Sequence, residues 1–292
     1  MSIAEIYQGA SKPIISFEFF PPKTDAGYRT LFRTIGELKQ LAPGFVSVTM
    51  GAGGSTRSKT VDLTLEITRE IGLVTMCHLP CTGFHPEEVG SILDQLSAGG
   101  VRNILALRGD PPQDDPDFEE PADGFRYANE LVAYIARRED RDYFSIGAAC
   151  APETHPEAPD PATDIANIKR KVEAGADFLI SNFFFDNALF FDFVDRARAA
   201  GIEVPIVPGI MPIATVAGIR RMAGMNGTAF PAELEAELQR VDGDDKATYA
   251  LGVRWATMQC EELLARGVDG IQFYTLNRSP AAREIYRNLF GS

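Results

Sequence analysis

The sequence predicts an α/β protein, a (β/α)8 TIM barrel expected to form a single domain over residues 1–292, and three observations carry that expectation. About eight short apolar runs alternate with stretches of helical periodicity. The early runs are polar at every second position, as strands are when one face meets helices and the other looks into a barrel. The 292 residues, 45% of them hydrophobic, suit a barrel, which closes at about 250 residues as one unit.

Strands are expected at 14–20, 45–50, 74–79, 104–108, 144–149, 178–183, 204–208 and 271–276. In the first, Ser16 and Glu18 share one face and Phe17 and Phe19 the other. In the second, Ser47 and Thr49 lie opposite Val46 and Val48. His78, Arg108, Asn182 and Gln272 sit on or at the ends of later strands. An open doubly wound sheet is the runner-up, but its strands would be apolar on both faces. Helices must cover the outside of a barrel, so the polar residues are expected to point inward.

Helices are expected at 28–41, 59–71, 86–98, 124–138, 161–174, 188–200, 214–222 and 246–266. The first places Leu31, Ile35, Leu38 and Leu41 on one face. Gly72, Gly99, Gly175, Gly201 and Gly267 follow helices, where a left-handed C-terminal cap is expected. Residues 108–124, with Gly109-Asp110-Pro111-Pro112, and 151–161, with Pro152, Pro156, Pro159 and Pro161, read as loops. Long loops at the C-terminal ends of barrel strands are where such enzymes keep their sites.

The net charge is −13, from 41 Asp and Glu against 28 Lys and Arg. That field disfavours non-specific binding to nucleic acid or to an anionic membrane. No segment approaches ~18 consecutive apolar residues, so no membrane span is expected. The N-terminus lacks the pattern of a signal peptide. Cys77, Cys81, Cys150 and Cys260 are few and scattered, which fits reduced thiols and a cytoplasmic location.

Glu18 is the first candidate for chemistry. A carboxyl set among Phe17, Phe19 and Phe20 is desolvated, which raises its pKa and suits a general acid; a salt-bridged barrel glutamate looks the same in sequence. Asp110 ends the fourth unit, where it can accept hydrogen bonds from a heterocycle or simply form a turn before Pro111. Gly51-Ala52-Gly53-Gly54-Ser55-Thr56 would let backbone approach a ligand closely, yet it lacks the third glycine of a dinucleotide fingerprint and reads rather as a plain turn. His78 reads as a core histidine or a site residue. His155, between Glu153 and Glu157, reads as a loop residue or part of a carboxylate–histidine metal cluster; no metal is expected. Asp164, Asn167, Arg170 and Lys171 recur at about one helical turn. They form a solvated face, or a wall on which the cations hold a diphosphate and Asp164 takes ribose hydroxyls.

In order along the chain, several strings together resemble the methylenetetrahydrofolate reductase family. They are Phe17-Glu18-Phe19-Phe20-Pro21-Pro22-Lys23, Phe45-Val46-Ser47-Val48-Thr49 with Gly51-Ala52-Gly53-Gly54-Ser55, and Asn103-Ile104-Leu105-Ala106-Leu107-Arg108-Gly109-Asp110. Further on come Pro152-Glu153-Thr154-His155-Pro156-Glu157-Ala158, Lys169-Arg170-Lys171-Val172-Glu173-Ala174-Gly175-Ala176 and Phe184-Phe185-Asp186. Pro208-Gly209-Ile210-Met211-Pro212 and Phe273-Tyr274-Thr275-Leu276-Asn277-Arg278 close the series. The length resembles the short bacterial form.

The resemblance implies a barrel that holds FAD, is reduced by NADH or NADPH, and passes hydride to 5,10-methylenetetrahydrofolate in a second half-reaction. It implies that Glu18 is the general acid that protonates folate N10, and that Asp110 holds the pterin and tunes the flavin. Thr49, Ala52, His78, Arg108, Gly109 and Asp110 match flavin-lining positions. So do Tyr127, Ala128, His155 and Ala158, with Asp164, Asn167, Arg170 and Lys171 on the helix. Asp110, Asn182 and Arg278 match folate contacts, and a homo-oligomer is implied. Met50 and Ala151 stand where Tyr is common, Asn182 and Gly218 where Gln is, and Leu79-Pro80 where Leu-Thr is. These departures leave two other readings open: a divergent folate, one-carbon or flavin-barrel oxidoreductase with weak or no FAD binding, and a non-catalytic barrel subunit.

Overall fold

A computed structural model describes residues 1–51, 56–111 and 117–291. In chain order the elements are α1 (Ile3–Gly9), β1 (Ile14–Phe19), α2 (Asp25–Lys39), β2 (Phe45–Val48), α3 (Arg57–Glu66), β3 (Thr75–Pro80), α4 (Pro86–Ala98) and β4 (Asn103–Leu107). They continue with α5 (Ala128–Ala136), β5 (Ser145–Cys150), α6 (Pro161–Glu173), β6 (Phe178–Phe183), α7 (Asn187–Ala199), β7 (Ile206–Ile210), α8 (Val216–Asn226), α9 (Ala232–Val241), α10 (Asp245–Ala265), β8 (Gly270–Tyr274) and α11 (Pro280–Phe290). The strands close into a parallel barrel in sequence order, β1 pairing with both β2 and β8.

The two faces of the strands divide as their period-2 pattern requires. Phe17, Phe19, Val46 and Val48 point outward and join Leu31, Ile35 and Leu38 of α2 in the main core. The fully buried Ser16 and Ser47 point inward, bridged by Gln272: Ser16 Oγ donates to Gln272 Oε1, and Gln272 Nε2 donates to Ser47 Oγ at 2.9 Å. A polar layer inside a barrel is stable only when each member finds a partner, and this trio does so across β1, β2 and β8.

Helix α1, which the sequence pattern had not predicted, plugs the N-terminal end of the barrel. Ser2 and Glu5 form a capping box at its start. Ile3 packs on Phe45, Met76, Leu105, Phe178 and Val207, and its amide donates to Asn103 Oδ1 at 2.7 Å. Helices α9 and α11 were also not expected. The expected helix at 124–138 starts later, at Ala128, because the Glu130 carboxylate turns back to accept the amides of Arg126 and Tyr127. The helix expected at 214–222 runs from Val216 to Asn226, capped by Thr215 and ended by Gly227 at φ +70°. The helix after β2 finishes in a π turn, Ile67–Ile71. Gly72, Gly175, Gly201 and Gly267 have the positive φ expected of them, whereas after α4 the left-handed residue is Gly100 rather than Gly99. The strand expected at 204–208 lies two residues later, Ile206–Ile210.

Candidate active site

Glu18 is next to last in β1 and faces inward at the C-terminal mouth of the barrel. Its backbone carbonyl accepts from Thr275 Oγ1 at 2.6 Å, which ties β1 to the turn after β8. About a fifth of the side chain, 19%, remains open. Its Oε2 lies 3.5 Å from Nε2 of His78, which projects from β3 and is almost wholly buried. Burial pushes the Glu18 carboxyl up to about 8 and the His78 imidazole down to about 3. At neutral pH the pair is therefore a protonated acid facing a neutral imidazole, and not an ion pair. His78 Nε2 has no hydrogen-bond partner. The expectation of a desolvated Glu18 holds, and the salt-bridge reading fails because no cation reaches it among the described residues.

Beside this pair opens a cavity of about 680 Å³. The C-terminal ends of β4, β5 and β6 border it, with one side of α6 and the start of α5. Arg108, Gly109 and Asp110 supply the rim after β4. Gly109 has φ +83°, and a Cβ there would lie 2.6 Å from Pro80 Cβ, so the turn that presents Asp110 needs glycine. Asp110 is exposed at the rim. Tyr127 and Ala128 line the α5 side, and His155 and Ala158 the loop after β5.

The polar side of α6 faces this cavity, with Asp164 buried, Asn167 and Lys171 half-buried and Arg170 exposed. Asp164 is buried and its Oδ2 accepts the His155 amide at 3.0 Å, which anchors the loop to the helix. Asn167 Oδ1 accepts from Arg170 Nη1 at 2.8 Å. Lys171 reaches inward to donate to the Ala149 carbonyl at 2.8 Å, and burial holds its pKa below the ordinary lysine value.

Glu153, His155 and Glu157 do not converge as a metal cluster would. Glu153 Oε2 accepts the Ala229 amide at 2.8 Å, and His155 Nδ1 accepts the Glu157 amide at 3.2 Å. Glu157 turns to Arg108 in a bidentate pair, with Arg108 Nη2 to Oε1 at 3.0 Å and a second contact through Nη1. The four cysteines are buried free thiols.

Some expected residues lie apart from the cavity lining. Thr49 uses its carbonyl to accept from Thr60 Oγ1 at 2.9 Å and its amide to pair with Phe19 at 2.8 Å. Glu18 and His78 stand next to the cavity without bordering it. Arg278 is exposed in the turn after β8, its amide bonded to the Thr275 carbonyl at 2.9 Å. Ala52 falls outside the described residues. Asn182, on β6, does border the cavity. So do Arg57, Asn129 and Glu157, which sequence reasoning had not singled out for this role. Arg57 stacks on Phe84 with its guanidinium carbon 3.7 Å from the ring centroid. A lone arginine opening a helix carries no signal of that partner in sequence.

Comparison with known proteins places these residues among relatives. The family model described as "Methylenetetrahydrofolate reductase" matches residues 3–290. "Methylenetetrahydrofolate reductase (NADH) 1" of Arabidopsis thaliana is 42% identical over 94% of this chain, which spans only 48% of that relative. The Escherichia coli K12 protein "5,10-methylenetetrahydrofolate reductase" is 37% identical over 99% of this chain and 93% of its own length. The chain thus spans about half the length of the plant and yeast relatives it matches and nearly all of the bacterial one. Among solved structures, an uncharacterized protein from Clostridium thermocellum, titled as binding two copies of 5-methyl-5,6,7,8-tetrahydrofolic acid, superposes with a TM-score of 0.64. The match covers 98% of this chain and 96% of that one at 13% identity, a likeness of fold alone.

Proposed function

The chain belongs to the methylenetetrahydrofolate reductase family, and from that premise we propose that it reduces 5,10-methylenetetrahydrofolate to 5-methyltetrahydrofolate with NADH or NADPH through FAD. The observation that carries the reading is Glu18, a carboxyl held protonated at neutral pH at the barrel mouth, beside a cavity with a polar α6 wall.

The cavity residues fit a flavin dinucleotide. Its volume of about 680 Å³ is of the size large cofactors occupy. Arg170 and Lys171 offer cations for a diphosphate, and Asp164 a fixed carboxylate for ribose hydroxyls. Beside the cavity, Nε2 of His78 is buried without a hydrogen-bond partner. When bound, FAD supplies the two-electron relay between the nicotinamide donor and the folate.

The chain's own residues supply the proton and the orientation. Glu18 gives its proton to folate N10 as the N10–methylene bond breaks. The one-carbon unit is left as an iminium on N5, which accepts hydride to become the methyl group, and Glu18 is left as a carboxylate. The neutral His78 adds no positive charge that would acidify Glu18 before the transfer. Asp110, after β4, accepts hydrogen bonds from the pterin amino group and ring NH, and Asn182 offers its amide from β6. Cytoplasmic location and homo-oligomeric assembly follow from the same premise; among the described residues no helix is long and apolar enough to cross a membrane.

An anaerobic absorbance titration of the FAD-reconstituted protein tests the reading. Bleaching by NADH or NADPH followed by recovery on adding methylenetetrahydrofolate is expected. Bleaching without recovery overturns the folate assignment, and no flavin uptake overturns the cofactor assignment.

A further inference from the structure

The pairing of β6 with β7 breaks beside the candidate site. Ile180 pairs with Val207 and Phe183 with Gly209, so Ser181 and Asn182 together stand opposite the single residue Pro208. In a regular parallel ladder the Gly209 amide would reach the Ser181 carbonyl. Here that amide donates to Ser181 Oγ instead, at 2.9 Å, and the same hydroxyl donates to the Asn182 carbonyl at 2.8 Å. The displaced Ser181 carbonyl takes its hydrogen bond from the Tyr274 hydroxyl, at 2.7 Å.

Tyr274 reaches that carbonyl from β8, across the whole width of β7. The crossing is open only because residue 209 is glycine: a Cβ there would lie 2.5 Å from Tyr274 Cε2 and 2.3 Å from the Ser181 carbonyl oxygen. Tyr274 is also the register partner of Glu18 across the β1–β8 pair. One side chain therefore spans from the acid on β1 to the bulge that carries Asn182, a residue of the cavity wall.

We propose that Tyr274 is a positioning residue for the folate reaction: its hydroxyl locks the Ser181–Asn182 bulge so that Asn182 is held at the cavity wall, and its ring shields Glu18 from water. The inference rests on the function proposed above. The groups facing Glu18 are His78 from β3 and Tyr274 from β8, with Cys150 of β5 on the far side of Tyr274. Burial keeps the Tyr274 phenol well above its ordinary value and the Cys150 thiol up at about 12, so neither introduces charge beside Glu18 near neutrality.

The two roles separate by substitution. Tyr274→Phe keeps the ring and removes the hydroxyl, so the KM and Kd for methylenetetrahydrofolate should rise about tenfold, the loss of one hydrogen bond's worth of positioning. Its kcat and the pH at which the folate half-reaction fails should stay in place. Ser181→Ala, which removes the other tie on the bulge, should raise the same Kd. Tyr274→Ala opens Glu18 to water, so the alkaline limb of the folate half-reaction should move to lower pH as well. Folate binding by calorimetry on the full chain, alongside thermal unfolding, gives readouts independent of turnover. Tyr274→Phe and Ser181→Ala proteins that fold and bind folate as wild type does overturn the lock while leaving the function standing. An unmoved alkaline limb in Tyr274→Ala overturns the shielding role. Wild-type protein that binds no folate overturns the function and this inference together.

Discussion

The Glu18–His78 corner, which stands beside the cavity, and the α6 wall, which lines it, handle ionisable groups in opposite ways. At the corner, burial without a counter-charge leaves both groups neutral near pH 7. On the α6 wall the buried Asp164 takes a backbone amide, the exposed Arg170 an asparagine oxygen and Lys171 a carbonyl, so each of the three side chains is fixed by a hydrogen bond. The contrast separates two tasks: a group that must hold and release a proton is best left unpaired and dry, and groups that hold an anion are best kept charged and fixed.

The largest effect should come from breaking the neutral corner. Glu18→Gln should slow folate reduction by about a hundredfold to ten-thousandfold and leave bleaching of the flavin by NAD(P)H unchanged. Stopped-flow measurement of the two half-reactions checks this, and equal losses in both would show that Glu18 serves structure or flavin binding rather than proton transfer.

Next in size is removal of charge from the wall. Lys171→Met should weaken FAD binding by about tenfold to a hundredfold, the range for a charge-assisted hydrogen bond. Flavin fluorescence titration reads it, and the folate step per bound flavin should persist. A variant that keeps its flavin but loses the folate step would erase the proposed division of tasks.

The pH response sharpens the same contrast. The folate half-reaction should hold near neutrality and decline as pH rises through about 8, where Glu18 gives up its proton before substrate arrives. Its folded pKa lies above the carboxyl's ordinary value of 4.5, so the folded chain binds more protons than the unfolded one between 4.5 and about 8. Glu18 thus costs stability progressively across that window. The thermal stability of Glu18→Gln relative to wild type should improve as pH rises from 4.5 to 8 and then level off, and a pH-independent difference in calorimetry would contradict the burial argument.

The smallest effect is expected at the rim. Arg108 and Glu157 form a bidentate pair, but their side chains are 37% and 61% exposed. Solvent screening then holds their contribution to stability below about 1 kcal/mol, so Glu157→Gln should barely move the unfolding temperature. A large drop would mean that the pair ties the β4 and β5 loops together more tightly than an exposed ion pair can.

Much of this was readable from local pattern. Alternation in β1 and β2 placed Ser16, Glu18 and Ser47 inside and the phenylalanines outside, because a strand's faces follow from period 2 alone. The α6 spacing put Asp164, Asn167 and Lys171 on one side, yet could not say whether that side met water or a cavity. Helix α1 escaped notice because seven residues carry too few turns for periodicity, and its stability comes from Ile3 sealing the strand starts. Thr49 and Arg278 lie apart from the cavity lining, Thr49 with its carbonyl bonded to Thr60 and Arg278 exposed after β8, and motif position alone does not fix where a carbonyl or a guanidinium turns.

Local pattern, then, decided the order of strands and helices, the inward set of polar residues and the position of an acid at a strand end. Its reach is a few residues, set by the repeat of each element. The protonation of Glu18 depends on its burial in the closed barrel, where His78, sixty residues away, lies 3.5 Å from it and β8 pairs with β1. The bond from Tyr274 to Ser181 depends on a bulge in β6 and an empty side-chain position on β7. Both arise only when the barrel closes, because desolvation and cross-barrel hydrogen bonds are properties of the assembled neighbours and of no single segment.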